Sequence, residues 1–354
     1  MIKPAQFIFD KPSIKGIVTT VGKNKIYFDD ESLSLSLTPK EIKRMKNTFS
    51  LGSRHVASQN ETTVDYCLNS AKHLLKGLDI SPSEIQGVIF VTQSPNYTSP
   101  SSAIKLQHLL GIPITSVAFD VHLGCSGFVY GLLNAFSFIQ SGLERIILCV
   151  GDVASSFVNP KNHTLAPIMG DAGSAILIEK ASNTSSYFQL YSDGSGEKAL
   201  YIPNSGCVDD FNEDGQLLES KMLMDGASVF TFTLKRIPKM IEDIIHFSGS
   251  SFNNIDYFVL HQPNKYILRN IQKRMNISLD KMPISTQSVY GNQNSASIPG
   301  TINGFLSEQY TNSKNKSLFG GFGVGLSWGS AIIETSDLYC PPSIVGISEK
   351  DLFK

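Results

Sequence analysis

The chain has 354 residues, with 30 Lys and Arg against 31 Asp and Glu, 41 % hydrophobic residues and only 17 % charged ones. That composition supplies a sizeable core and excludes a globally disordered chain, while the near-neutral balance argues against nucleic acid as the main partner, which would call for a basic surplus. At roughly 150 residues per domain, the length predicts two domains or one large fold with two lobes.

The first stretch, Met1–Val21, alternates polar and apolar residues and lacks the basic and apolar regions of a secretory signal. With Lys40, Lys43, Arg44 and Lys46 near Glu41, residues 1–49 read as a surface helix or flap. A helix is expected over Glu61–Leu75, capped by Asn60, with Val64, Leu68, Ala71 and Leu75 on its apolar face. Short β-branched runs then predict strands at Gly87–Thr92 and Ser116–Val121, a helix at Phe128–Ile139, and strands at Arg145–Val150 and Ser174–Ile178. Farther on come a helix at Phe230–Ile245 and strands at Tyr257–Leu260 and Ala331–Glu334. Strands alternating with helices give an α/β fold whose sheets are covered on both faces. No run of about 18 apolar residues occurs, so no membrane span is expected. The five cysteines (Cys67, Cys125, Cys149, Cys207, Cys340) are odd in number and far apart. They give neither a disulfide framework nor a CxxC metal pair, and imply free thiols in a reducing cytoplasm.

One segment echoes another. Ala172-Gly-Ser-Ala-Ile-Leu-Ile-Glu179 resembles Trp328-Gly-Ser-Ala-Ile-Ile-Glu334, each copy following a glycine-rich turn and entering an apolar strand. The echo is either chance or the trace of a duplicated fold whose halves meet in the Ser/Asn-rich residues 181–186.

Four motifs carry the candidate chemistry. In Asp120-Val-His-Leu-Gly-Cys-Ser-Gly-Phe128 a strand ends, a tight Gly124/Gly127 turn follows, and a helix begins. Cys125 falls at that helix start, where amide N–H groups and the helix dipole are expected to lower its thiol pKa and expose it as a nucleophile. The second motif, Leu260-His-Gln-Pro-Asn264, places His261 at a strand end, with Pro263 expected in the first turn of a helix. His122, three residues before Cys125, is the rival histidine. The third, Tyr290-Gly-Asn-Gln-Asn294, offers Asn292 and Asn294 in a polar loop. The fourth, Phe319-Gly-Gly-Phe-Gly-Val-Gly325, lets backbone approach a ligand closely. No lysine follows it in phosphate-loop spacing. Cys, His and Asn together fit either thiol proteolysis or thioester condensation. The protease signature around the cysteine is missing, and Cys125 lies mid-chain.

Together with Arg54-His-Val-Ala57, Met169-Gly-Asp-Ala-Gly-Ser-Ala175 and Ser327-Trp-Gly-Ser-Ala331, these motifs resemble β-ketoacyl-acyl-carrier-protein synthase III, a condensing enzyme of the thiolase superfamily, over about residues 50–335. The resemblance implies a duplicated thiolase-like α/β fold, with two pseudo-symmetric halves in an αβαβα arrangement. Residues 1–182 would carry the nucleophilic cysteine, and residues 183–354 the histidine and asparagine. It implies acyl transfer to Cys125, then decarboxylative condensation with malonyl-acyl carrier protein. His261 and Asn292 (preferred to Asn294 because it follows the motif glycine) would bind the extender carbonyl. Backbone N–H groups of Cys125 and Val324 would form the oxyanion hole. A neutral His261 is needed for this, so an apolar pocket should disfavour its cation. The resemblance also implies a cytoplasmic homodimer without metal or redox cofactor, acting on coenzyme A or carrier-protein thioesters. Lys273 and Arg274 would receive the carrier protein, and Ser99 would border the acyl pocket at the dimer interface. Departures stand at Arg44 and Thr48, where an adenine clamp is absent, at Tyr266 in place of a basic docking residue, and at Ser99 in place of a pocket-closing aromatic. They point to a longer acyl primer and a dedicated pathway. The alternative is a thiolase-fold acyltransferase that passes the acyl group to a hydroxyl or amine without condensation.

Overall fold

The structure is a computed structural model that describes residues 4–181 and 184–347. In chain order the first half comprises β1 (Ala5–Phe9), β2 (Pro12–Val21), β3 (Asn24–Tyr27), α1 (Phe28–Ser34), α2 (Pro39–Phe49), β4 (Ser53–Val56), α3 (Thr63–Leu78), β5 (Gly87–Val91), α4 (Ser102–Leu109), β6 (Val117–Val121), α5 (Gly127–Gln140), β7 (Arg145–Asp152) and β8 (Ala172–Lys180). The second comprises β9 (Ser186–Ser192), β10 (Leu200–Tyr201), β11 (Leu223–Met224), α6 (Gly226–Phe247), β12 (Tyr257–Leu260), α7 (Lys265–Met275), α8 (Thr286–Tyr290), α9 (Ser297–Phe305), α10 (Ser307–Asn312), β13 (Asn315–Gly323), β14 (Ser327–Thr335) and β15 (Ile344–Val345).

Two sheets hold these strands, in the orders β15-β2-β8-β7-β5-β6 and β1-β9-β14-β13-β12. In the first, β8 runs antiparallel to β2 and β7, and β7 runs parallel to β5. In the second, β14 runs antiparallel to β9 and β13, and β13 runs parallel to β12. The pattern is the same, and the two echoed segments are the equivalent strands β8 and β14. The echo therefore marks a duplication.

The layers follow from where the apolar faces go. Helix α5 is predominantly apolar and sits between the sheets, with Phe128, Val129, Leu132, Phe136 and Ile139 fully buried. Beside it, α9 buries Ile298 and Ile302 in the same core. Helices α3 and α4 cover the outer face of the first sheet through Val64, Leu68, Ala71, Leu75 and Leu106. Helices α6 and α7 cover the second through Ile237, Ile241, Ile267 and Ile271. The result is the expected αβαβα stack.

Three expectations need correction. Asn60 does not cap α3; it takes φ +70° in the preceding turn, and the capping box is Thr62 with Asp65, whose Oδ2 accepts from the Thr62 N–H at 2.8 Å. Residues 1–49 are not simply a flap, because β2 is a central strand with Ile14, Ile17, Val18 and Val21 buried. Helix α2 does fit the surface reading: it is opened by a Thr38/Glu41 capping box and buries no residue. Finally, α7 begins after Pro263, with Asn264 as its cap; Asn264 Oδ1 accepts from the Ile267 N–H at 2.9 Å.

Candidate active site

Cys125 sits on the turn between β6 and α5, closed by the Gly127 N–H donating to the Gly124 carbonyl at 2.7 Å. The turn tolerates little else. A Cβ on Gly124 would meet Gln93 Oε1 at 2.0 Å, and one on Gly323 would meet Cys125 Cβ at 2.6 Å and Sγ at 2.9 Å. The end of β13 thus lies directly against the cysteine. The N–H groups of Val324 and Cys125 are turned on the sulfur and favour its ionised form. These are the two amides expected to form an oxyanion hole.

His261 follows β12, with its main-chain N–H donating to Gly320 of β13 at 2.8 Å. Its Nδ1 lies 2.7 Å from Ser297 Oγ at the start of α9, and that oxygen also accepts from the Gln262 N–H at 3.4 Å. A Ser297 hydroxyl donating to Nδ1 would leave the ring proton on Nε2, the tautomer that the expected hydrogen-bonding role requires. Asn292 is clamped by backbone: its N–H donates to the Ile168 carbonyl at 2.7 Å and its carbonyl accepts from Gly170 at 3.0 Å. Its side-chain Oδ1 accepts from the Asn294 N–H at 3.0 Å, so the group it has left to offer is Nδ2. Gly291, at φ +83° and packed on the Gly170 backbone, makes that clamp possible.

Cys125, His261, Asn292, Asn294 and Val324 all line one cavity, otherwise walled by Leu165, Met169, Leu200, Met222 and Ile267 among others. Burial decides the electrostatics. It pushes the Cys125 thiol up to about 12, with the Asp152 carboxylate adding to the rise, and the two amides offset only part of it. The expected lowering by the helix start is thus overturned, because an apolar cavity penalises the thiolate more than the amides stabilise it. Burial likewise takes His261 down to about 3, so the ring is neutral at any working pH, as the hydrogen-bonding role requires. Alkylation of Cys125 by a neutral haloacetamide is therefore expected to rise about tenfold per unit between about pH 7 and pH 10, without a plateau. Peptide-level mass spectrometry would follow it, because Cys207 is exposed; a plateau near neutrality would overturn the assignment.

The remaining expected residues are placed as follows. His122 faces a different cavity, shared with Asp120, Glu197 and Tyr201, and does not line that of Cys125. Ser99 is exposed and lines neither cavity. Lys273 and Arg274 are exposed in the last turn of α7, and Arg274 is steadied by the Leu234 carbonyl at 2.8 Å. Tyr266 stacks on Phe230, with ring centroids 5.4 Å apart. Arg44 and Thr48 border a surface hollow with His163 and Thr164. Among the described residues no cluster of three or more His, Cys, Asp or Glu is placed to hold a metal ion, and no helix is long and apolar enough to cross a membrane.

Two participants were missed. Ser297 holds the His261 ring through Nδ1 from 36 positions away. Asp152 is fully buried at the end of β7 and accepts from Thr92 Oγ1, the Gln93 and Ser94 N–H groups, and Ser94 Oγ. Burial raises its pKa to about 6. It ties the loop after β5 to the floor of the site, and Ser295 Oγ, on the asparagine loop, donates to it at 3.4 Å.

Comparison with known proteins gives the family. Residues 119–194 match the family model for 3-oxoacyl-[acyl-carrier-protein] synthase III, and residues 245–335 match the model for its C-terminal part. A Campylobacter jejuni protein provisionally named 3-oxoacyl-[acyl-carrier-protein] synthase 3 is 38 % identical over 353 residues, covering 97 % of this chain and 99 % of that one. The chain belongs to the 3-oxoacyl-acyl-carrier-protein synthase III family. A Neisseria meningitidis β-ketoacyl-[acyl-carrier-protein] synthase III is 32 % identical over 286 residues, 79 % of this chain and 87 % of that one. The crystal structure of a 3-oxoacyl-(acyl-carrier protein) synthase from Burkholderia xenovorans superposes with a TM-score of 0.92 at 28 % identity, covering 97 % of this chain and 99 % of that one. The 97 % coverage by the Campylobacter and Burkholderia proteins leaves too few residues outside to omit the segment from β1 to α2. That segment is therefore shared with part of the family.

Proposed function

We propose that this family member is a condensing enzyme that loads an acyl group onto Cys125 and joins it to a malonyl-acyl carrier protein with loss of carbon dioxide. The observation that carries the reading is the thiol of Cys125, buried in an apolar cavity with two amides turned on it and a neutral histidine and an asparagine amide beside it. In the first half-reaction the sulfur attacks the acyl thioester, and the Cys125 and Val324 N–H groups hold the oxyanion. In the second, His261 Nε2–H and Asn292 Nδ2 donate to the extender carbonyl. The electron pair released with carbon dioxide collects as an enolate, which attacks the acyl-Cys125 carbon. That pair comes from a broken carbon–carbon bond, so the scheme uses no metal or redox cofactor. An apolar cavity suits it, since a carboxylate stripped of water loses carbon dioxide more readily.

The finer reading is a cytoplasmic homodimer that takes its primer from coenzyme A or a carrier protein. Lys273 and Arg274 would meet the acidic carrier in a salt-sensitive contact. Ser99 of one copy would border the other's acyl pocket, in a dedicated acyl-chain pathway with medium or long primers.

Intact mass after mixing with acyl thioesters from two carbons upward, on both carriers, tests this. An adduct on Cys125 that malonyl-carrier protein discharges with carbon dioxide is expected. An adduct discharged by hydroxyl or amine acceptors without carbon dioxide would replace condensation by simple acyl transfer, and acceptance of two-carbon primers alone would remove the longer pocket.

A further inference from the structure

Asn294 stands where the three residues of the site meet. It is 2 % exposed, and its Oδ1 lies 3.5 Å from Cys125 Sγ, accepting the S–H. Its main-chain N–H fixes the Asn292 amide at 3.0 Å, and its main-chain carbonyl faces the His261 ring, where it partly offsets the effect of burial. The backbone holds it at φ +47°, a left-handed conformation that residues other than glycine take up at some cost and that recurs at functional sites. Its Nδ2 is buried without a hydrogen-bond partner among the described residues, although the residue lines the cavity. A buried N–H donor with no acceptor is unfavourable, and a substrate oxygen would relieve it.

We propose that Asn294 is a further catalytic residue: Oδ1 holds the Cys125 thiol in the resting enzyme, and Nδ2 donates to the carbonyl oxygen of the extender thioester beside Asn292 and His261. This rests on the condensation reading. During acylation the Sγ–acyl bond forms, the thioester bond to the donor breaks, and the S–H proton leaves with the donor thiol. Oδ1 then has lost its partner, and the amide is held only by what enters the cavity. During condensation the bond to the extender carboxylate breaks and its electron pair becomes the enolate. Nδ2 steadies the oxygen on which that charge gathers. The enolate carbon bonds to the acyl carbon, the extender carbonyl re-forms, and the Cys125 sulfur leaves and takes up a proton.

Two variants separate the roles. Asn294→Asp keeps an oxygen beside the sulfur but removes the Nδ2 donor and adds negative charge. Asn294→Gly removes both groups and suits the positive φ. Carbon dioxide release from malonyl-carrier protein by pre-acylated protein is expected to fall at least about tenfold in both. Haloacetamide alkylation of Cys125 at fixed pH should slow in Asn294→Asp, where the charge opposes the thiolate, and should not slow in Asn294→Gly. Carbon dioxide release within about twofold of wild type in both variants would overturn the proposal; should Asn294→Gly fail to fold, Asn294→Asp alone decides it. If wild-type protein forms the Cys125 adduct but never releases carbon dioxide, the condensation reading fails instead, and the alkylation rates still test the thiol contact.

Discussion

Cys125→Ala is expected to lose acyl loading and condensation by at least about 10⁴-fold while keeping its melting temperature within a few degrees. No other thiol substitutes: Cys67, Cys149 and Cys340 are buried away from the cavity, and Cys207 is exposed outside it. The structural loss is small, because one sulfur is removed from the wall of an existing cavity and no packed side chain is displaced. Cys125→Ser should fall nearly as far, since a buried hydroxyl is harder still to ionise than a thiol near 12. The assay is the acyl adduct by intact mass, with carbon dioxide release from malonyl-carrier protein beside it. Retention of a tenth of the wild-type rate in the alanine variant would remove Cys125 from the chemistry.

Gly323→Ala should be almost as damaging, through one methyl group. Its Cβ would stand 2.6 Å from Cys125 Cβ and 2.9 Å from Sγ, closer than carbon atoms tolerate. Neither side has much freedom. Gly323 is the last residue of β13, in register with Ser327, and Cys125 is pinned at the start of α5. The sulfur must move off the Val324 amide, and the adjoining N–H groups lose their aim at the reacting carbon. A loss of about 10²–10³-fold in kcat/KM is expected, in line with removing one oxyanion donor, against a stability cost of about 1–3 kcal/mol for one extra methyl in a packed site. Wild-type kcat/KM in a folded Gly323→Ala protein would show that this contact does not position the nucleophile.

Much of the molecule was legible in its sequence for local reasons. The β-branched runs that read as strands became β5, β6, β7, β8, β12 and β14, and the glycine elbow placed Cys125 at a helix start, because both signals lie within a dozen residues. The resemblance added His261, Asn292 and Val324, which line the same cavity as Cys125. What stayed hidden was set by distant contacts. The thiol pKa went the opposite way because the cavity that buries Cys125 is built largely from the other half of the chain. Ser297 reaches His261 only because α9 packs beside β12, and nothing about a serine in a polar loop announces that. Asp152 lies two residues past the strand read at Arg145–Val150, and the loops it holds are brought to it only by the fold.

The strand exchange between the sheets has a consequence for how the protein is made. β1, from the start of the chain, completes the second sheet beside β9, and β15, from near the end, pairs with β2 in the first, Ile344 opposite Thr20. Each sheet thus borrows an outer strand from the other half of the chain. Pairings so distant along the sequence form late and slowly, because a long loop must close before they are rewarded. A nascent chain that has already emerged past its nucleophile still has two unfinished sheets, and a fragment ending before Ile344 leaves the Thr20–Val21 end of β2 unpaired on its outer side. Recovery of thioester chemistry on refolding should therefore lag the recovery of helix signal, making enzymatic activity a reporter of the last topological closure in the fold.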